Sequence, residues 1–224
     1  MHETAIRHNA CFETIDLRTQ FRCAGPDEYV DWVDQLLEIR KTGVIKLASS
    51  AFEVETVRRR PDGPCGYDRA AQRGGPERPD DGRLLLALVQ VHGRRAAHQR
   101  CHDRCVERPG NAQPDKRKLA PGISKAQFWA TDPGGATQIG CIYTAQGFEF
   151  GYSGVIWGED LVIRSGVWVG QKSASRDHVV KTRSGERFID VVKNAYRVLL
   201  TRGMQGCSIC ILDPETRAYV QNRL

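Results

Sequence analysis

The stretch from Gly185 to Leu212, "GERFIDVVKNAYRVLLTRGMQGCSICIL", constrains the fold most, because its apolar pattern changes period once. Through "GERFIDVVKNAYRVLLTRG", Phe188, Val191 or Val192, Ala195, Val198 and Leu199 recur at helical spacing, which predicts a helix with one buried face. Gly203 is expected to end it in the left-handed conformation that glycine adopts freely. "CSICIL" then reads as a strand, and Pro214 as the opening of a short C-terminal helix.

The same alternation recurs upstream. "CFETIDL" predicts a strand ending near Leu17. Gly25 to Gly43 predicts an amphipathic helix: Pro26 at its first position, Asp27 and Glu28 in its first turn, Tyr29, Val33, Leu36 and Leu37 on one face, Arg40 and Lys41 at its end. "QIGCIYT", 138 to 144, reads as a buried strand and "SGVIWG" as another, while "DLVIRSGVWVG" predicts a hairpin turning at Ser165-Gly166, at a sheet edge. Strands alternating with helices specify an α/β fold, a parallel sheet flanked by helices, which ordinarily binds ligands at the carboxyl ends of its strands.

One segment breaks the pattern. Residues 57 to 110 contain no Lys, Ser, Thr, Asn, Ile, Phe, Trp or Met, and hold 12 Arg against 5 Asp and 2 Glu. Most of the chain's net charge of +6 therefore resides there. Arg, Gly and Pro at this density predict an irregular, disordered middle segment, read as a basic linker, a small metal-binding insert or a stretch translated out of frame. Within it only "LLLALVQV", Leu84 to Val91, could form a buried strand or helix. Eight cysteines scattered through 224 residues read as reduced thiols rather than a disulfide framework. With no apolar run near the roughly 20 residues of a membrane span and no signal-peptide pattern, a cytoplasmic protein without membrane contact is expected.

Familiar catalytic strings are missing. Gly-x-x-x-x-Gly-Lys-Ser/Thr, whose amides and lysine surround phosphates, does not occur. "GVWVGQKS", Gly166 to Ser173, has Gln171 between glycine and lysine, and "DPGGAT", Asp132 to Thr137, is glycine-rich without a lysine. No Asp-Glu pair closes an apolar strand to hold magnesium, and no Gly-x-Ser-x-Gly elbow occurs to accompany His178. Cys207 and Cys210 stand an odd number of positions apart on the expected strand and so face opposite sides. "HQRCHDRC" gives His98, Cys101, His102 and Cys105 zinc-like spacing, but ligands so tightly bunched do not readily close a tetrahedron, and no metal site is expected.

Three stretches remain: "LRTQFRC" at 17 to 23, "YTAQGFEF" at 143 to 150 and "NAYRVLLTRGMQG" at 194 to 206. In order and character they resemble the fourth, fifth and sixth motifs of the C-terminal RecA-like domain of superfamily 1 helicases, which are P-loop NTPases. "TAQGFEF", "GVIWGEDLV" and "KNAYRVLLTRGMQG" are closer still to the Schlafen group 3-like DNA/RNA helicase domain. The resemblance covers about residues 5 to 56 and 110 to 224. It divides the chain into residues 1–56 and 111–224, two parts of a second RecA-like domain, separated by the aberrant 57–110, and it favours a frameshifted or damaged stretch there over an evolved linker.

The resemblance implies that Arg22 and Arg202 reach across a cleft to a γ-phosphate, that Glu149 accepts a hydrogen bond from the ribose, and that Gly147 admits the nucleotide closely. Tyr196 would pack beside the nucleotide, and Thr144 and Gln146 would contact nucleic acid or couple it to hydrolysis. Gly151 stands where the family usually carries Asp, so polar coupling is not carried over there. The complete family protein binds ATP and magnesium and acts on DNA or RNA. Here the first RecA-like domain, with its phosphate loop and magnesium acids, is expected before Met1 and is missing, so the chain alone should neither bind ATP tightly nor hydrolyse it. A non-enzymatic basic nucleic-acid-binding module and a nonfunctional gene remnant are the alternatives.

Overall fold

The computed structural model describes residues 27–47, 52–56, 84–88, 119, 121–132, 135, 138–145, 148, 150–175 and 177–224, with residues 84–88 as backbone only. Its elements are α1 (Asp27–Leu36), β1 (Glu53–Thr56), β2 (Leu84–Leu88), a 3₁₀ turn (Ala126–Phe128), α2 (Ile142–Ala145), β3 (Phe150–Trp157), β4 (Leu161–Arg164), β5 (Val167–Gly170), α3 (His178–Lys181), α4 (Glu186–Leu200), β6 (Gly203–Ile211) and α5 (Pro214–Gln221). Four strands form one sheet in the order β1-β6-β3-β2, and each neighbouring pair is parallel. The fold is therefore α/β, as expected. The expected strand ending near Leu17 lies outside the described residues, as does all of 57–110 except β2. That strand is the apolar run of the Arg-rich segment, paired with β3 from Leu84↔Tyr152 to Leu88↔Ile156.

Burial organises the sheet and its helices as the periods require. α4 turns Phe188, Val192, Ala195, Tyr196 and Leu199 inward, so Val192 rather than Val191 holds the core position. Val198 is only half-buried, and Tyr196 fills the face instead. Trp157, at the end of β3, is sandwiched between Tyr196 at 4.3 Å and Trp168 at 5.4 Å, ring centre to ring centre. Each stacked pair adds about 1 kcal/mol beyond the apolar area it buries.

Four local expectations are corrected. Gly203 does not close α4 with a left-handed turn: it is the first residue of β6, and Thr201, at φ −95°, is the cap. The hairpin turns at Ser165 and Gly166 as predicted, both at positive φ, but β4 and β5 form a separate two-stranded antiparallel sheet rather than an edge of the main one.

α1 stops at Leu36, well before Gly43. There Glu38 adopts a positive φ of 53°, and the amides of Ile39 and Arg40 fold back onto the Asp34 carbonyl. Asp34, nearly fully buried, holds the guanidinium of Arg197 and that of Arg40, which ties α1 to α4.

Finally, 138–144 is not a strand. Ile139 and Gly140 make a bridge, and the chain then coils into α2. The Thr144 hydroxyl accepts from the Cys141 amide and donates to the Cys141 carbonyl, each at 3.0 Å, a reciprocal cap that a strand could not make.

Candidate functional site

Arg202 sits at the amino end of β6, not at a carboxyl mouth. α4 leads through Thr201 and Arg202 directly into β6. Phe150, the first residue of β3, pairs with Gly203, and its amide donates to the Arg202 carbonyl at 3.4 Å. The fifth-motif-like and sixth-motif-like stretches, far apart in sequence, thus meet at one end of two adjacent strands.

The Arg202 side chain is buried, and its Nε donates to the Val198 carbonyl at 3.0 Å. A cation there answers the partial negative charge of the helix end and fixes one side of the guanidinium fork. Thr201 assists, its hydroxyl donating to the Arg197 carbonyl at 2.9 Å.

The backbone here requires glycine. A Cβ on Gly203 would run into the Gly206 carbonyl oxygen, and one on Gly206 would approach the Glu53 carbonyl at 2.7 Å. Between these glycines the pairing slips, from Phe150↔Gly203 to Tyr152↔Gly206, and such bulges re-aim side chains at strand ends.

Trp129, which the sequence reading missed, buttresses the same end. Its ring occupies the space that a side chain on Gly140 would need, and it tilts against Phe150 at 6.4 Å. A carbonyl of the same residue fills the place of a Gly135 Cβ. Two glycines near a tryptophan were the available signal, since each lets the large residue close in.

Of the residues singled out from sequence, Arg22, Gln146, Gly147 and Glu149 lie outside the described residues. Thr144 is half-buried, and its hydroxyl serves the Cys141 cap. Tyr196 is buried against Trp157; its hydroxyl donates to Asp160 at 2.7 Å and accepts from the Gly158 amide at 3.0 Å. It therefore fastens α4 to the carboxyl end of β3. Beside Thr144, the Tyr143 hydroxyl donates to Asp177 at 2.7 Å. Partial burial, and then that bond, push the Tyr143 phenol up to about 12.

The carboxyl end is closed by a different set of groups. Asp213 caps α5, accepting from the Thr216 amide at 2.8 Å and hydroxyl at 2.7 Å, and takes Arg164 bidentately at 2.7 and 2.9 Å. Burial pushes the Asp213 carboxyl up, but Arg164 and Thr216 outweigh it and hold it at about 2. Among the described residues no group of three or more His, Cys, Asp or Glu could hold a metal ion, and no helix is long and apolar enough to cross a membrane. "HQRCHDRC" lies outside those residues.

A parallel sheet flanked by helices, with Phe150 and the Arg202 turn joined at the amino ends of its two central strands, defines an α/β domain. The chain belongs to the Schlafen group 3 DNA/RNA helicase domain family, whose model matches residues 1–62 and 96–213. Residues 63–95, inside the compositionally foreign segment, are left unmatched. The chain is also similar to Uncharacterized protein YPL245W of Saccharomyces cerevisiae, at 22% identity over 90% of this chain and 46% of that protein. It thus spans about half the length of that curated relative. No solved structure matches.

Proposed function

We propose that this chain acts as the second RecA-like half of a superfamily 1 type, nucleic-acid-dependent ATPase. In this reading it contributes arginines to a nucleotide whose phosphates are held by another part of a longer protein. One observation supports the reading: the pairing of Phe150 with Gly203, which sets the Arg202 turn beside the start of β3.

The donor set here fits only part of ATP-magnesium. A guanidinium anchored through Nε suits charge developing on a terminal phosphate, whereas the sequence has no phosphate-loop string and the described residues no carboxylate cluster for magnesium. ATP bound by the complete protein supplies the transferable γ-phosphoryl group. In this reading Arg202 and Arg22 would stabilise negative charge there. Glu149 orients the ribose, Gly147 leaves room for it, and Thr144 and Gln146 relay contact with DNA or RNA. Tyr196, buried against Trp157, acts in this reading as a strut that fixes α4 and hence Arg202.

The test is ATP hydrolysis by the purified chain with magnesium and single-stranded DNA or RNA. No turnover is expected. Nucleic-acid-stimulated hydrolysis that Arg202→Ala abolishes would show that the chain holds a whole site and would overturn the half-site reading.

A further inference from the structure

We propose that the outer edge of β5 pairs with the same edge of a second copy of this chain, antiparallel and two-fold symmetric about Val169. The hydrogen-bond pattern of the hairpin singles out that edge. Ser165 and Gly166 both have positive φ, so a two-residue turn joins the strands and Arg164↔Val167 is a hydrogen-bonded pair. Alternation makes Ile163↔Trp168 and Leu161↔Gly170 the non-hydrogen-bonded pairs, whose amides and carbonyls point away from the hairpin.

The two outward edges differ. On β4 the Ile163 amide donates to the Thr216 hydroxyl at 2.9 Å, and the Ile163 carbonyl accepts from the Arg164 guanidinium, so side chains block that edge. On β5, among the described residues, nothing outside the hairpin bonds the main chain of Trp168 or Gly170. The Trp168 ring turns inward and donates to the Leu36 carbonyl at 3.0 Å, whereas Val167 is 62% and Val169 38% exposed. An apolar edge left uncovered is a template for another strand.

Charge selects a second copy as that strand. With Trp168 opposite Gly170 of the second copy, each such pair exchanges two main-chain bonds, and Val169 meets Val169 across the axis. In this register Gly166 lies opposite Lys172 of the second copy. Glu215 sits at that turn, accepting from the Ser165 amide at 2.9 Å, and together with Asp213 it outweighs Arg164, which leaves the turn net negative. Lys172 is exposed and joins no ion pair among the described residues. The two-fold axis therefore sets each Lys172 against the acidic turn of the other copy, whereas a parallel pairing would set like charges together. Four residues per strand bury less than the roughly 1,200 Å² of a stable interface, so the dimer is weak and concentration-dependent.

The test uses the full chain and no nucleotide, so its outcome is independent of the half-site. Sedimentation is expected to show an average mass that rises with concentration. Under copper-catalysed oxidation Val169→Cys should form about tenfold more disulfide-linked dimer than the parent chain, because β-carbons opposed across the axis stand roughly 5 Å apart. Val167→Cys should not, since its counterparts are displaced roughly 13 Å along the strands. Lys172→Glu is expected to weaken the dimer about tenfold, and Glu215→Lys added to the same chain to restore it. Circular dichroism that matches the parent separates loss of pairing from loss of fold. A chain that stays monomeric at every concentration, equal cross-linking of Val167→Cys and Val169→Cys, or a dimer that Lys172→Glu leaves unchanged would each overturn the proposal.

Discussion

The two ends of the parallel sheet are built on opposite logic. At the carboxyl end, Asp213 meets Arg164 and Thr216, and Tyr196 meets Asp160 and Gly158; these groups satisfy one another and lock α4 and α5 to the sheet. The amino end is shaped by glycines, a bulge and a wedged tryptophan, and it brings Arg202 beside the start of β3. Polar residues thus close the carboxyl end of this sheet, and small residues shape the amino end, to which the proposed function assigns Arg202. Strand ends next to a site need backbone room more than they need additional bonds.

That contrast can be broken by substitution. The largest loss of stability is expected from Gly203→Ala, where the added methyl meets backbone that cannot give way; urea denaturation should show about 3 kcal/mol. A cost below about 1 kcal/mol would mean that the amino end is not tightly set. Asp213→Ala, which removes the α5 cap and the anchor of Arg164, should cost about 2 kcal/mol.

The carboxyl end also carries a pH signature. Asp213 sits below its unfolded value, so the native state binds fewer protons than the unfolded chain at moderately acidic pH. Its contribution is complete above pH about 4 and is lost as pH falls toward 2. Asp213→Asn should flatten that acid limb in denaturation curves measured across pH; an unaltered limb would assign it to other carboxylates. The smallest effect belongs to Thr144→Val, which loses the reciprocal cap of α2 at a cost of about 1 kcal/mol by the same measurement.

How much of this was legible in the sequence depends on the length of each pattern. α4, β6 and α5 could be read because fifteen helical residues, a nine-residue strand and Asp213-Pro214 each give a long or chemically specific signal. The turn at Ser165-Gly166 was equally clear, since it needs two residues that tolerate positive φ. "QIGCIYT" failed because a short apolar run has no period of its own, and a hydrogen bond from Thr144 decided it. Arg202's place on the sheet was recoverable and was missed: a residue between a helix and the strand that follows it must lie at that strand's amino end. Asp34 and Trp129 left weaker traces, because their partners Arg197, Arg40, Gly135 and Gly140 become neighbours only on folding.

The most direct test of the proposed half-site is kcat for ATP hydrolysis when this chain, carrying either Arg202→Lys or Arg164→Lys, is joined to the phosphate-binding part that the proposal requires. Lysine keeps a cation at each position but lacks the planar fork. Arg202→Lys is expected to lower kcat about a thousandfold, while Arg164→Lys leaves it within about twofold of the parent. Equal kcat values for Arg202→Lys and the parent protein, or a loss confined to Arg164→Lys, would contradict the assignment of the amino end as the functional one.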